Sequence, residues 1–234
     1  MIGFDRPLKP RWIYDSLLLA EPGQKLIELN EPFEGIAKEL TGKEGKRKVR
    51  TVLFRCFIRD ERNRGRVKED LILRELSMKY GQDFMLPIYL FYLIGKTEII
   101  FSISKHLFRL YDFSGKINVK FLRQHMVNRF GDRNVVKKAT GAFIKTLSFF
   151  SIVEYSKNGT YLKKKLPLSE KQLRIILTIY AKEILRTPQV NLNDLPRPLF
   201  NYFLMPEVRI VAQKNNGTYW DYQHRMGSDL LIIY

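Results

Sequence analysis

Along most of the chain the apolar residues recur at three- and four-residue spacing, the period of helices with one buried face. Trp12 to Leu19 is an apolar block closed by the turn signal Glu21-Pro22-Gly23. Asn30-Glu31-Pro32, followed by Phe33, Ile36, Ala37 and Leu40, predicts a helix with proline in its first turn and Gly42 just past its end. Val49, Val52, Leu53, Cys56 and Phe57 mark the inner face of a third helix, which Asn63-Arg64-Gly65 breaks. Val67 to Tyr80 resumes a helix that Gly81 closes. From Asp83 to Tyr111 the polar face disappears, as expected of two buried helices parted around Gly95-Lys96-Thr97, and Asp112-Phe113-Ser114-Gly115 is the best boundary.

Beyond that boundary Val119, Leu122, Met126, Val127 and Phe130 predict a helix of about three turns, ended by Gly131. Asp132 is placed to cap a second helix, Arg133 to Phe150, with Val136, Ala139, Phe143, Leu147 and Phe150 inward. Ile152 to Tyr155 and Thr160 to Lys163 read as strands joined at Lys157-Asn158-Gly159. Ser169 caps an amphipathic helix with Leu173, Ile176, Leu177, Tyr180 and Ile184 on one stripe, ended by Thr187-Pro188. Gln189 to Pro206 is irregular, with Leu195, Phe200 and Phe203 as anchors. Val208 to Gln213 and Thr218 to Tyr222 predict a second hairpin around Asn215-Asn216-Gly217, and Leu230 to Tyr234 a docked strand. The expected fold is mainly α with small β-hairpins: a helical module over residues 1–113, a winged helix-turn-helix over 114–168, and a helix plus hairpin extension over 169–234.

Composition adds a partner to this picture. The 234 residues hold 41 Lys plus Arg against 24 Asp plus Glu, a formal charge of +17. An excess of this size repels itself in a compact fold, so it points to an anionic partner. It is also localised. Lys43 to Lys68 has eleven basic and three acidic residues, and Arg133 to Lys165 eight basic residues and Glu154 alone on the acid side. The rest of the chain is nearly neutral.

These runs supply the candidate nucleic-acid contacts. Arg47, Lys48, Arg50, Arg55 and Arg59 fall mainly off the apolar face of the third helix. In the second basic run Arg133, Asn134 and Lys137 sit near the helix start, where Arg and Asn side chains pair bidentately with guanine and adenine edges. Lys138, Lys145, Lys163, Lys164 and Lys165 are the phosphate candidates. Tyr219, Trp220, Tyr222, His224 and Arg225 form a further aromatic and basic group that could stack on bases or meet a partner protein.

Several other classes are disfavoured. The single cysteine, Cys56, excludes an internal disulfide and a thiolate metal cage, and a reducing, cytoplasmic setting is the expectation. Phe84 to Gly95, the longest apolar run, is well short of the roughly twenty residues of a membrane span, and no secretory signal is visible. His106, His125 and His224 have no ligand spacing, so neither metal nor cofactor is expected. No phosphate-binding loop, dinucleotide turn or nucleophile elbow occurs, and Asp194 or Glu207 with Lys214 departs from nuclease spacing. Binding, not catalysis, is the expectation.

The order of parts resembles a known family. The apolar helix Ile13-Tyr14-Asp15-Ser16-Leu17-Leu18-Leu19, the leucine-rich Leu26-Ile27-Glu28-Leu29, the basic helix Arg47 to Arg59, the apolar middle, and the stretch Leu147-Ser148-Phe149-Phe150-Ser151-Ile152-Val153 together look like BrxA, the small accessory protein of BREX phage-defence systems. The resemblance spans residues 12–170 and is one of layout. It implies a helical, winged-helix protein that binds double-stranded DNA without catalysis, among other defence-system proteins, with Arg47, Lys48, Arg50, Arg133, Lys137 and Lys138 on its basic helices. Two alternatives stay open: an RNA-binding or ribonucleoprotein component, and a basic adaptor for an acidic protein.

Overall fold

A computed structural model describes residues 3–225 and 227–234. With 58% helix and 14% strand the protein is mainly helical with small sheets. The organising element is α4, Ile72–Lys96, which Gly81 divides by taking φ +75°, a conformation that side-chain-bearing residues resist. Its second half is apolar on every side, and Ile88 to Ile94 are all buried, as expected for a helix covered all round. The covering is done by α1 (Pro10–Leu19), by α5 (Glu98–Leu110), which leaves α4 at a 105° bend, by α8 (Glu170–Ile179) and by α9 (Arg197–Phe200). Among the described residues no single helix is long and apolar enough to cross a membrane, though α4 and α5 taken together as a bent pair have the length and composition.

The first turns of the chain differ from expectation in detail. The helix α2 covers Asn30–Ile36 and stops well before Gly42. Its successor α3, Lys43–Leu53, buries Val49, Val52 and Leu53 as the spacing predicts, then widens into a π-helical turn, Phe54–Ile58, that buries Cys56 and Phe57. The helix therefore ends before Asn63, and Arg59 is extended, bridged to Val67. Residues 67–71 are not helical, because Val67 and Lys68 hydrogen-bond back to Gln24 and Ile58 instead of starting a helix.

The next elements match closely. α6 is Val119–Phe130, with the Asn118 side chain accepting from the Phe121 N–H at 3.1 Å and Gly131, at φ +85°, closing it. α7 is Asn134–Phe149, packed on α6 and on the strand Val153–Ser156 that follows it. Asp132 does not cap α7. Arg133 occupies the cap position without a side-chain bond, and the Asp132 carboxylate pairs with Lys137 at 2.6 Å. The strands β1 (Val153–Ser156) and β2 (Gly159–Leu162) form an antiparallel hairpin with Lys157 and Asn158 at its tip. The glycine opposes Ser156 as the first residue of β2 instead of sitting within the turn. Backbone bonds from Ser114 and Ile117 to Leu162 and Thr160, and from Leu162 to Gly115, lay the segment before α6 along β2.

The C-terminal third departs furthest. A capping box between Ser169 and Gln172 opens α8, as its sequence signature predicts. A short parallel pair joins β3 (Leu166–Pro167) to β5 (Phe203–Leu204). The predicted strand at Val208 is a helix, α10, Val208–Lys214. Its Val208, Val211 and Ala212 are spaced for one helical face, which packs towards α8, whereas the turn signal at Asn215-Asn216-Gly217 suggested a hairpin strand. Asn215 to Gly217 thus ends a helix, and the hairpin forms later, between β6 (Trp220–Arg225) and β7 (Ser228–Ile233). The terminal strand does dock: β7 lies between β6 and β4 (Gln189–Asn191).

Candidate nucleic-acid interface

The polar side of α7 opens onto a concavity of about 560 Å3. Asn134, Lys137, Lys138 and Lys145 line it from α7 itself, because residues 134, 137/138, 141 and 145 share a helix face. Gly141 stands at mid-face, and the space where its side chain would be is open. Arg123 of α6 and Arg6 of the N-terminal segment enter from the sides, and Asp5 is the one acidic residue of the lining. Among the described residues neither Lys138, Lys145 nor Arg123 has a carboxylate within ion-pairing distance. The Lys145 ammonium lies 5.1 Å from the Phe149 ring centre and 4.9 Å from that of Tyr155 on β1, so the cation sits where α7 meets the hairpin.

Sequence reading missed Arg6 and Arg123. Both lie outside the two charge-dense runs, and only packing brings them in. Phe4, fully buried, meets the Phe143 ring of α7 edge-on at 6.5 Å, and the Leu8 N–H donates to the buried Thr146 hydroxyl at 3.0 Å. The N-terminal segment is thereby laid against α7 with Arg6 between its two anchors.

The remaining predicted residues have more partners. Arg133 donates back to the Phe130 carbonyl at 2.8 Å, and Lys163 pairs with Glu154 across the hairpin at 3.0 Å. Lys164 is exposed, and the Lys165 ammonium lies 5.5 Å from the Phe113 ring centre. On α3, Arg47 and Lys48 share Glu44, whose carboxyl is held down to about 2 by Arg47 first and Lys48 second. Arg50 donates to the Asn30 carbonyl at 3.1 Å. Arg55, half-buried, donates to the Gly3 carbonyl. Burial, together with Arg55 and Arg64 nearby, lowers the Arg59 guanidinium. Lys68 is drawn further inside: its ammonium donates to the Tyr92 hydroxyl at 2.5 Å, and burial lowers its pKa.

The two basic runs nevertheless adjoin. Arg55 holds Gly3, and Gly3 is three Cα steps of 3.8 Å from Arg6, so the π-turn after α3 contacts a chain segment within about 11 Å of the α7 concavity.

The aromatic group near the C-terminus forms only in part the surface its sequence suggested. Trp220 is fully buried and donates to the Ala212 carbonyl at 2.8 Å. Tyr222 and His224 turn instead to the buried Asp229, which also takes two bonds from Arg209 and is held far below the usual carboxylate range, first by the Tyr222 hydroxyl and next by Arg209. Tyr219, His224 and Arg225 remain exposed, and Tyr222 is half-buried. The fold also pairs two distant histidines: the His106 and His125 rings stack at 4.9 Å between α5 and α6. Among the described residues no group of three or more His, Cys, Asp or Glu side chains is arranged to hold a metal ion. Comparison of the chain with protein-family models, with curated proteins and with solved structures finds no match.

Proposed function

We propose that the protein is a non-enzymatic double-stranded DNA-binding protein in which α6, α7 and the β1–β2 hairpin act as a winged helix-turn-helix. In this reading α7 is the recognition helix and the hairpin is the wing. The observation that carries it is the convergence of Lys138, Lys145, Arg123 and Arg6 on one concavity that offers only Asp5 against them. An open, cationic trough along a helix face suits a phosphate backbone, which supplies most of the affinity of such contacts. Asn134 and Lys137 at the start of α7 are then the base-edge candidates. Segment Ser114 to Ile117 along β2 ties wing and helices into one unit. The layout resemblance to BrxA supports reading it as an accessory component of a prokaryotic phage-defence system.

The test is fluorescence anisotropy with random duplex DNA over a series of salt concentrations. Six neutralised phosphates would give a slope of log K against log salt near −5, at about −0.9 per phosphate. A slope shallower than about −2 would overturn a duplex footprint of this size. Stoichiometric capture of an acidic protein with no nucleic acid binding would make the basic surface a docking face instead.

A further inference from the structure

A second concavity, with no residue in common with the first, lies between the start of α4 and α8. At about 240 Å3 it falls below the roughly 300–1,000 Å3 of sites for drug-sized molecules, so it suits one ring system. Its floor is aliphatic, with Ile72 and Leu76 of α4 beside Ile175 and Ile179 of α8. Two of its walls are aromatic, Tyr80 and Tyr219, and Tyr219 remains 41% exposed. Cations lie against both rings. The Arg174 guanidinium is 3.8 Å from the Tyr219 ring centre, and the Lys171 ammonium 4.3 Å from that of Tyr80. Arg174 is oriented there by a bond to the Asn215 side chain at 3.3 Å.

Arg174 is also the shared wall of an adjoining, polar concavity of about 470 Å3, which adds Lys171 and Lys214. Its acidic residue, Glu170, is taken up by Lys214 at 2.7 Å. Counting Lys79 as well, the two concavities present four cations and one carboxylate.

This combination selects its ligand from both sides. A bare phosphate would leave the aliphatic floor uncovered. A neutral apolar group would strip water from Arg174 and Lys171 and return no charge to them. A flat heteroaromatic ring joined to an anion satisfies both halves, and a base can enter such a groove only when it is neither paired nor stacked. We propose that this groove binds single-stranded nucleic acid, holding one unstacked base against the exposed Tyr219 ring with a flanking phosphate on Lys171. The site is independent of the duplex reading of α7.

The experiment compares wild type, Tyr219→Ala, Tyr219→Phe and Arg174→Ala for binding to oligo-dT and oligo-U strands of about twelve nucleotides, a length within the range such grooves cover, and to a duplex. Tyr219→Ala and Arg174→Ala should weaken strand binding about tenfold, with Tyr219→Phe close to wild type and duplex binding unmoved, since stacking depends on the ring and not on its hydroxyl. A strand carrying 2-aminopurine should be quenched by wild type and not by Tyr219→Ala. Tyr219 is exposed, so its variants should fold, and an unchanged melting temperature is required of all three variants before their binding is compared. Unaltered strand affinity in Tyr219→Ala, absence of quenching, or equal loss of strand and duplex binding would overturn the proposal. So would competition by uridine monophosphate, which would assign the groove to free nucleotides. Strand binding lost in Tyr219→Ala but kept in Lys138→Glu/Lys145→Glu separates this site from the α7 concavity.

Discussion

Around α3, Glu44 occupies Arg47 and Lys48, main-chain carbonyls of Asn30 and Gly3 occupy Arg50 and Arg55, and burial takes Lys68. Along α7, Lys138 and Lys145 keep their charge facing an open concavity and are joined there by Arg123 and Arg6. The two runs look alike in composition. Their difference teaches that a basic run is a binding surface only to the extent that its cations are left without internal work. A guanidinium spreads its donors in a plane, so it readily ties carbonyls and carboxylates together. The α3 run, rich in arginine, is used in that way as a set of clamps between helices and the N-terminal segment.

Four predictions bear on this comparison, the largest effect first. The double reversal Lys138→Glu/Lys145→Glu should weaken duplex DNA binding about 10- to 100-fold at moderate salt and flatten the salt slope by about two or more; an unaffected slope would remove α7 from the interface. Asn118→Ala deletes the cap of α6 and should cost about 1 kcal/mol, seen as a lower midpoint in urea, with the salt slope retained because α7 is untouched. Glu44→Gln, by releasing Arg47 and Lys48, should tighten duplex binding about twofold, whereas Arg47→Ala/Lys48→Ala should change it by less; a large loss in the latter pair would put α3 on an equal footing with α7.

The smallest effect concerns pH. Burial, then the Arg109 charge and then His125, hold His106 below the ordinary imidazole value of 6.5. The folded protein thus takes up this proton less readily than the unfolded chain does. The associated stability is complete above that value and falls as pH drops through it. Melting temperature should decline modestly between about pH 7.5 and 5.5, and His106→Gln should flatten the decline; an identical profile in the variant would show that other groups cause it.

Much of this architecture is legible in local signals. Helices α6 and α7, the β1–β2 hairpin, the Ser169 cap and the break at Thr97 all follow from period, glycine placement and capping chemistry, which act over a few residues. Where two local readings competed, sequence alone chose wrongly. Val208 to Gln213 is followed by the turn signal Asn215-Asn216-Gly217 yet has a helical spacing, and contact with α8 decides for the helix. The aromatic group at 219–225 looked like one surface, yet the pleat of β6 sends Trp220 inward and hands Tyr222 and His224 to Asp229.

The candidate interface divides along the same line. The chain by itself determined that α7 would be amphipathic and basic, since residues 134, 137, 138 and 145 share a face by helical periodicity whatever surrounds them. Only the tertiary structure decided which charges are available. Neutralising Arg47 by Glu44 is local, but clamping Gly3 to Arg55, bringing Arg6 and Arg123 to α7, and facing Tyr219 with Arg174 across α8 all join residues distant in sequence. Such contacts depend on how buried faces are packed against each other, a property of the assembled core that no single segment encodes.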